Sequence, residues 1–166
     1  MNVNHTLTQT PQETERVADR ARLRGSWLVA RFLGALAVLA TGAVHLQQYA
    51  GAYERIPTIG TLFVVNFAAA TVIGVALLAP IEHLAGRWSG PAVAMALAAG
   101  IALSAGTLVM LLISERTPLF GFQESGYAPT AIAFSKAVEG AAVVLLAVAL
   151  VARFAPRGRP VPPVRW

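Results

Sequence analysis

Residues 58–79 read TIGTLFVVNFAAATVIGVALLA, an apolar stretch that contains no charged side chain. An α-helix of roughly 20 mainly apolar residues is long enough to cross the hydrocarbon core of a bilayer. The stretch therefore predicts a transmembrane helix in which Asn66 is the most polar residue. A buried helix of a soluble protein is the competing interpretation, but the length of the stretch and its short linkers argue against it.

Three more apolar stretches accompany this one. They cover residues 26–49, 88–114 and 128–154. Each is long enough to span a bilayer, so we predict an all-α fold, a four-helix transmembrane bundle built from residues 25–154. Residues 1–24 form a polar tail that we expect to be partly disordered, with a short surface helix from Pro11 to Arg24. Residues 155–166 form a second tail, rich in proline and arginine.

The composition excludes several classes of protein. Of the 166 residues, 56% are hydrophobic and 13% are charged, and the mean hydropathy is +0.61. A typical soluble domain has about 25% charged residues, so the chain is neither an ordinary soluble enzyme nor a disordered protein. The absence of cysteine excludes a thiolate nucleophile, an iron–sulfur cluster, cysteine-bound zinc and disulfide bonds.

The distribution of arginine predicts the orientation in the membrane. Both tails and the loop between the second and third helices share one side, and they carry most of the arginines: Arg16, Arg20, Arg22, Arg24, Arg31, Arg87, Arg153, Arg157, Arg159 and Arg165. The opposite side carries Arg55 and Arg116. Because arginine accumulates on the cytoplasmic side, we expect a multi-pass protein of the cell membrane with both termini in the cytoplasm. This topology explains the net charge of +5, so nucleic acid is not a predicted partner.

The first apolar stretch has an alternative interpretation as a signal peptide. Cleavage would fall near Ala50, Gly51 and Ala52. The polar segment before the stretch is unusually long, however, and the stretch exceeds the roughly 7–15 apolar residues of a signal peptide. An uncleaved first helix is therefore favoured.

Four polar side chains interrupt the predicted helices: His45, Asn66, Lys136 and Glu139. Ionisable groups inside a membrane are costly and usually face the interior of a bundle. Lys136 and Glu139 are three residues apart, so they share a helix face and can pair. Counted from the outer ends of their helices, the four groups predict a polar pocket in the outer half of the bundle. The structural alternatives are a buried ion pair, a packed histidine and an interhelical hydrogen bond from the asparagine.

The two outer loops hold charged residues among aromatic residues and prolines: Glu54, Arg55, Glu115, Arg116 and Glu124. We expect these loops to lie on the mouth of the pocket and to cap it, with Arg55 paired to Glu115 or Glu124. The inner loop, from Pro80 to Arg87, is short and is interpreted as a plain connector.

Small residues recur along one face of the third predicted helix: Ala96, Gly100, Ser104 and Thr107. Small side chains allow membrane helices to approach closely. Packing within the bundle is the favoured interpretation, and a homodimer face is the alternative.

No metal or cofactor is predicted. The chain contains neither an HExxH motif nor a Glu-x-x-His pair. One chain cannot bind haem through two histidines in the membrane, because only His45 lies in a predicted helix, whereas His5 and His83 lie outside the helices. A haem with one axial histidine, or one shared across a dimer, stays open as an alternative.

The segments HLQQYAGAYERIPTIGTLFVVNFAAA and LFGFQESGY resemble an uncharacterised family of small four-helix integral membrane proteins from high-GC Gram-positive bacteria. The matching positions are His45-Leu46, Ile56–Gly60, Leu62-Phe63 and Leu119–Glu124. The resemblance spans roughly residues 34–152 and implies the four-helix fold. It places six residues among the first to test: His45, Pro57, Gly60, Asn66, Glu124 and Glu139. The layout is also loosely similar to DoxX-like membrane proteins, but no motif carries their function over.

Together these patterns predict a membrane protein that is not an enzyme, either an accessory subunit of a larger complex or a binder of a small ligand. Its expected partners are the lipid bilayer and either other membrane subunits or further copies of the chain. One alternative is an oligomeric conduit for protons or small solutes that uses Lys136 and Glu139. A second alternative is a redox component with a borrowed cofactor.

Overall fold

The computed structural model describes residues 11–51, 53–126 and 128–154, with side chains from Gly25 onward. Its helices are, in chain order, α1 Pro11–Gly51, α2 Pro57–Leu78, α3 Ile81–Leu84, α4 Ser89–Ser114 and α5 Pro129–Phe154. Two 3₁₀ turns, Tyr53–Arg55 and Gly86–Trp88, lie between them. The expected disordered segment before Pro11 and the predicted tail after Phe154 lie outside the described residues.

Four helical segments are long and apolar enough to cross a membrane: Gly25–Gly51, Pro57–Leu78, Gly86–Ser114 and Pro129–Phe154. The predicted all-α four-helix bundle is therefore confirmed, and most helix ends lie within a residue or two of the predicted ones. The start of α1 differs. It runs without a break from Pro11 into the membrane span, so the expected surface helix is the first part of one 41-residue helix.

The four long helices form a ring in the order α1, α2, α4, α5, with α1 and α4 on the diagonal. Neighbouring helices run antiparallel, because consecutive spans are joined by short connections. We call the end that carries the Tyr53–Arg55 turn and the 115–128 loop the cavity end. The opposite end, which carries α3, is called the Arg31 end. The most deeply buried side chains fill the Arg31 half: Ala35, Val38, Leu77, Val93, Leu97, Leu146 and Ala149.

The small residues of α4 pack inside the bundle. Gly100 and Ser104 are buried, and Ala96 is partly buried against the core. A Cβ on Gly100 would lie 2.6 Å from the Cδ1 atom of Leu146 on α5, so a larger residue here would require the Leu146 side chain to move. This face is therefore occupied within one chain and is not available to a second copy.

The loop at the Arg31 end is more than a connector. Arg31 of α1 is only 6% exposed. Its guanidinium donates to the carbonyl oxygens of Leu77 at 2.6 Å and Ala79 at 2.5 Å, and to Glu82 Oε1 at 2.6 Å. The last carbonyl groups of a helix have no partner within the helix, and a basic side chain satisfies them well. Arg31 thus caps α2 and fixes α3 against α1.

The 115–128 loop folds back over the cavity end. Its Glu124 N–H donates to the carbonyl oxygen of Ser114, 3.0 Å away, at the end of α4. Leu119 and Phe122 exchange two backbone hydrogen bonds around Phe120 and Gly121, whose φ angles are +53° and +79°. Two successive positive φ angles are typical of a type I′ turn. Glycine adopts this conformation readily, whereas phenylalanine adopts it at an energetic cost.

Candidate functional site

A cavity of about 360 Å³ lies at the cavity end, between the four helices and the 115–128 loop. Pockets for small molecules usually have volumes of about 300–1,000 Å³ and mostly apolar walls with a few polar groups. This cavity fits that description. Its polar lining groups include His45, Gln48, Asn66, Thr107, Ser135 and Glu139.

Glu139 lies one turn after Ser135 on α5 and is 1% exposed. The Ser135 hydroxyl donates to its Oε1 atom at 3.0 Å, which orients the carboxyl group. Thr107 of α4 lies beside the same carboxyl group. The Oε2 atom is buried without a hydrogen-bond partner among the described residues. One half of this carboxyl group is thus held by the protein, and the other half is unsatisfied.

His45 of α1 faces Glu139 of the neighbouring α5. Its Nδ1 atom lies 2.9 Å from the carbonyl oxygen of Thr41. A carbonyl oxygen only accepts, so Nδ1 carries the hydrogen and Nε2 of the neutral ring is an acceptor. Nε2 lies 3.9 Å from Glu139 Oε1, which is too long for a direct hydrogen bond. The ring also packs edge-on against Phe63 of α2, with centroids 4.9 Å apart.

Asn66 of α2 completes the polar wall. It is 4% exposed, and neither its amide oxygen nor its amide nitrogen has a hydrogen-bond partner among the described residues. Asparagine in a membrane helix usually bonds to a neighbouring helix. The predicted interhelical hydrogen bond of Asn66 does not form. The amide group instead lines the cavity with Glu139 and His45.

The predicted pairing of Lys136 with Glu139 is wrong. The Lys136 ammonium lies 2.6 and 2.8 Å from the two carboxylate oxygens of Glu115, at the end of α4. Both side chains are about one-third exposed, and neither residue lines the cavity. The three-residue spacing places Lys136 near Glu139 in sequence, but the flexible lysine side chain reaches the neighbouring helix instead.

The cap of the cavity differs from the predicted one. Tyr53 and Glu124 are both buried, and the Tyr53 hydroxyl donates to Glu124 Oε2. Oε1 of Glu124 accepts the Gly126 N–H at 2.8 Å. The suggested partners of Arg55, namely Glu115 and Glu124, form no ion pair with it where the chain is described. The remaining predicted cap residues, Glu54, Arg55 and Arg116, are exposed and do not line the cavity.

Gly60 explains how Tyr53 reaches this position. A Cβ at residue 60 would lie 2.7 Å from the carbonyl oxygen of Tyr53 and 3.3 Å from the Cα atom of Glu54. Only glycine lets the Tyr53–Arg55 turn lie on the first turn of α2. The Tyr53 ring then stacks at 4.8 Å on Phe63 and at 5.6 Å against Phe122.

Sequence reasoning placed His45, Asn66, Lys136 and Glu139 in the outer half of the bundle, and the structure brings all of them except Lys136 to one cavity. It overlooked Ser135, although a serine four residues before a buried glutamate is a recognisable helical pair. It did not predict the contact of Tyr53 with Glu124, because nothing local to the sequence shows it. Among the described residues, no group of three or more His, Asp or Glu side chains is arranged to hold a metal ion.

Comparison with protein-family models, with curated proteins and with solved structures found no match. The site is therefore interpreted from its own geometry.

Proposed function

We propose that this protein is a non-catalytic membrane protein that binds a small ligand in the cavity, with Glu139, His45 and Asn66 as its polar anchors. The observation that carries the proposal is the set of buried, unpartnered atoms at the cavity wall, namely Oε2 of Glu139 and both amide atoms of Asn66. Leaving a buried polar group unsatisfied costs about 1–3 kcal/mol. A ligand that bonds to these atoms recovers that cost.

The test is to extract the protein in native-membrane nanodiscs and to identify copurifying molecules by mass spectrometry. We expect one small molecule in stoichiometric amount with the wild-type chain and its loss from Asn66→Leu and Glu139→Gln. Matched controls are Gln47→Leu, which also replaces a side-chain amide with leucine, and Glu54→Gln, which also neutralises a carboxylate. Both positions are exposed and do not line the cavity. Equal recovery of the small molecule with the wild type, both cavity variants and both controls would overturn the proposal. So would a copurifying membrane protein with no small molecule, which would indicate an accessory subunit.

The conduit hypothesis receives less support from the geometry. It needs Lys136 and Glu139 to act together, yet Lys136 is paired with Glu115 away from the cavity. Beyond Glu139, toward the Arg31 end, the bundle is filled by the fully buried Leu77, Leu97 and Leu146. A pocket that ends at this packed core suits the arrangement better than a path through the bundle. The redox hypothesis stays a prediction, and an absorbance spectrum of the purified protein tests it.

For the orientation, we propose that the Arg31 end faces the cytoplasm and that the protein lies in the cell membrane. Support comes from the arginine-rich tails and from Arg87 at that end. The chain has no cysteine, so single cysteines report their own side of the membrane. A membrane-impermeant maleimide applied to intact cells should label Thr117→Cys and spare Arg87→Cys. Labelling of Arg87→Cys without labelling of Thr117→Cys would show that the Arg31 end faces outward.

A further inference from the structure

The cavity opens sideways, between α2 and α4. Several of its lining residues are exposed on the outer surfaces of these two helices: Leu62 and Val65 of α2, and Ala102, Gly106 and Met110 of α4. Val65, for example, is 57% exposed and also lines the cavity. Both helices are apolar enough to span a membrane, so outward-facing residues in their middle contact lipid. The cavity is therefore continuous with the lipid-facing surface.

The opening follows from the way α2 and α4 pack. A Cβ on Gly100 of α4 would lie 3.4 Å from Ile73 and 3.6 Å from Leu77, so the two helices are in contact at that level. Nearer the cavity end they are separated by the cavity, and nothing lies within 4 Å of a Cβ built on Gly106. The helices thus diverge toward the cavity end and leave a gap between them.

The route from the aqueous side is obstructed instead. The hydrogen bond from Tyr53 to Glu124 crosses the cavity end and joins the turn before α2 to the 115–128 loop. Phe122 packs edge-on against the Tyr53 ring. A ligand that dissolves in lipid meets an open gap, whereas a water-soluble ligand meets this cover.

The polar wall specifies the head group of the ligand. The Asn66 carbonyl oxygen and Nε2 of neutral His45 are acceptors, and the Asn66 amide nitrogen is a donor. Oε2 of Glu139 accepts when the carboxyl group is ionised and donates when it is protonated. A hydroxyl group has one hydrogen and can donate to one of these acceptors at a time, whereas an NH2 group can donate to both Nε2 and the Glu139 carboxyl group, which stand 3.9 Å apart. Because the wall offers both acceptors and donors, a head group that donates and accepts hydrogen bonds, such as an alcohol or an amide, fits best.

From these observations we propose that the ligand is a membrane-dissolved amphiphile. It enters sideways between α2 and α4, forms hydrogen bonds from its head group with Glu139 and Asn66, and lays its apolar body along the gap. This inference rests on the proposed function and adds the class of ligand and its route.

The test uses the full-length protein in lipid nanodiscs with a photoreactive hexadecanol that carries a diazirine in its chain. After illumination, peptide mass spectrometry should find the label at residues 62–66 and 102–110. Excess unlabelled hexadecanol should suppress that label, and hexadecane, which has no head group, should not. Asn66→Leu and Glu139→Gln should lower the labelling by about tenfold, the size of effect expected from a lost buried hydrogen bond.

The gap is tested with Gly106→Leu, which fills it without a clash because the position is surrounded by open space. The matched control is Gly140→Leu on α5, which is equally open but does not line the cavity. We expect the first variant to abolish the labelling and the second to leave it unchanged, with unfolding temperatures at least as high as that of the wild type.

The outcomes separate the two proposals. Labelling that depends on Glu139 and Asn66 but survives Gly106→Leu would overturn the lateral route and leave the binding site intact. A water-soluble molecule that copurifies and depends on Glu139, without competed hexadecanol labelling, would overturn the ligand class alone. The absence of both competed labelling and any copurifying molecule would overturn the proposed function as well.

Discussion

Lys136 and Glu115 form a two-oxygen ion pair between α5 and α4, although Lys136 lies only three residues before the buried Glu139. The pair keeps the ammonium group out of the cavity and leaves Glu139 without a lysine partner. The polar character of the cavity therefore comes from neutral hydrogen-bonding groups and from the carboxyl groups of Glu139 and Glu124. This separation decides which substitutions should affect binding and which should not.

The Lys136–Glu115 pair should contribute little to stability and nothing to ligand retention. Both side chains are about one-third exposed, and such pairs contribute less than about 1 kcal/mol because water and salt screen them. Lys136→Gln, Glu115→Gln and the double variant should unfold thermally within a few degrees of the wild type and retain the copurifying ligand. Loss of the ligand from Lys136→Gln would return Lys136 to the binding site.

Asn66→Leu should make the ligand-free protein more stable. The substitution removes two buried polar atoms that lack partners and replaces them with an apolar side chain of similar size. We expect a gain of about 1 kcal/mol in detergent, where no ligand is added. Thermal unfolding of Asn66→Leu beside Gln47→Leu measures it. A decrease of similar size confined to Asn66→Leu would show that the amide group has a structural partner.

Arg31→Ala should destabilise the protein more than any of the other substitutions. It would leave two carbonyl oxygens at the end of α2 and the Glu82 carboxylate without their donor. The expected loss is about 2–4 kcal/mol, the range for breaking a mostly buried charged contact. Arg31→Lys should recover only part of it, because one ammonium group cannot reach all three acceptors of the planar guanidinium.

Urea or thermal unfolding in detergent measures these differences. The control is Arg116→Ala, which removes an exposed arginine at the opposite end. Equal effects of Arg31→Ala and Arg116→Ala would contradict the capping role of Arg31.

Gly60→Ala should displace the cover of the cavity. The added methyl group would meet backbone atoms of Tyr53 and Glu54 that cannot rotate away. We expect a loss of about 1–3 kcal/mol, typical of overpacking, and a weaker contact between Tyr53 and Glu124. Gly90→Ala on α4, where open space surrounds the new methyl group, is the control and should not lower stability. Thermal unfolding measures the loss of stability, and hydrogen exchange of the peptide that contains Tyr53 measures the weaker contact. A Gly60→Ala protein with unchanged stability and exchange would contradict the close packing at Gly60.

The helices were predictable from the sequence because a membrane span is a local property. About 20 apolar residues suffice, whatever the rest of the chain does. His45, Asn66 and Glu139 were also predictable as neighbours, since residues at one depth of a small bundle meet at its centre. The partner of Lys136 was not predictable, because the side chain extends to a different helix. The role of Arg31 in capping α2 was not predicted for a similar reason, since its acceptors exist only where α2 ends and α3 begins.

The length of the uninterrupted α1 fixes how far its first residue lies from the membrane. A helix of 41 residues is about 60 Å long at about 1.5 Å per residue, roughly twice the thickness of the hydrocarbon core. The part of α1 before Gly25 is therefore a stiff continuation of the spanning helix beyond the membrane. A dye attached directly at the start of α1 would keep a fixed height and direction relative to the bundle. When the span tilts, the start of α1 moves farther than the span itself. A label at the start of α1 would therefore report movements of the bundle with increased amplitude.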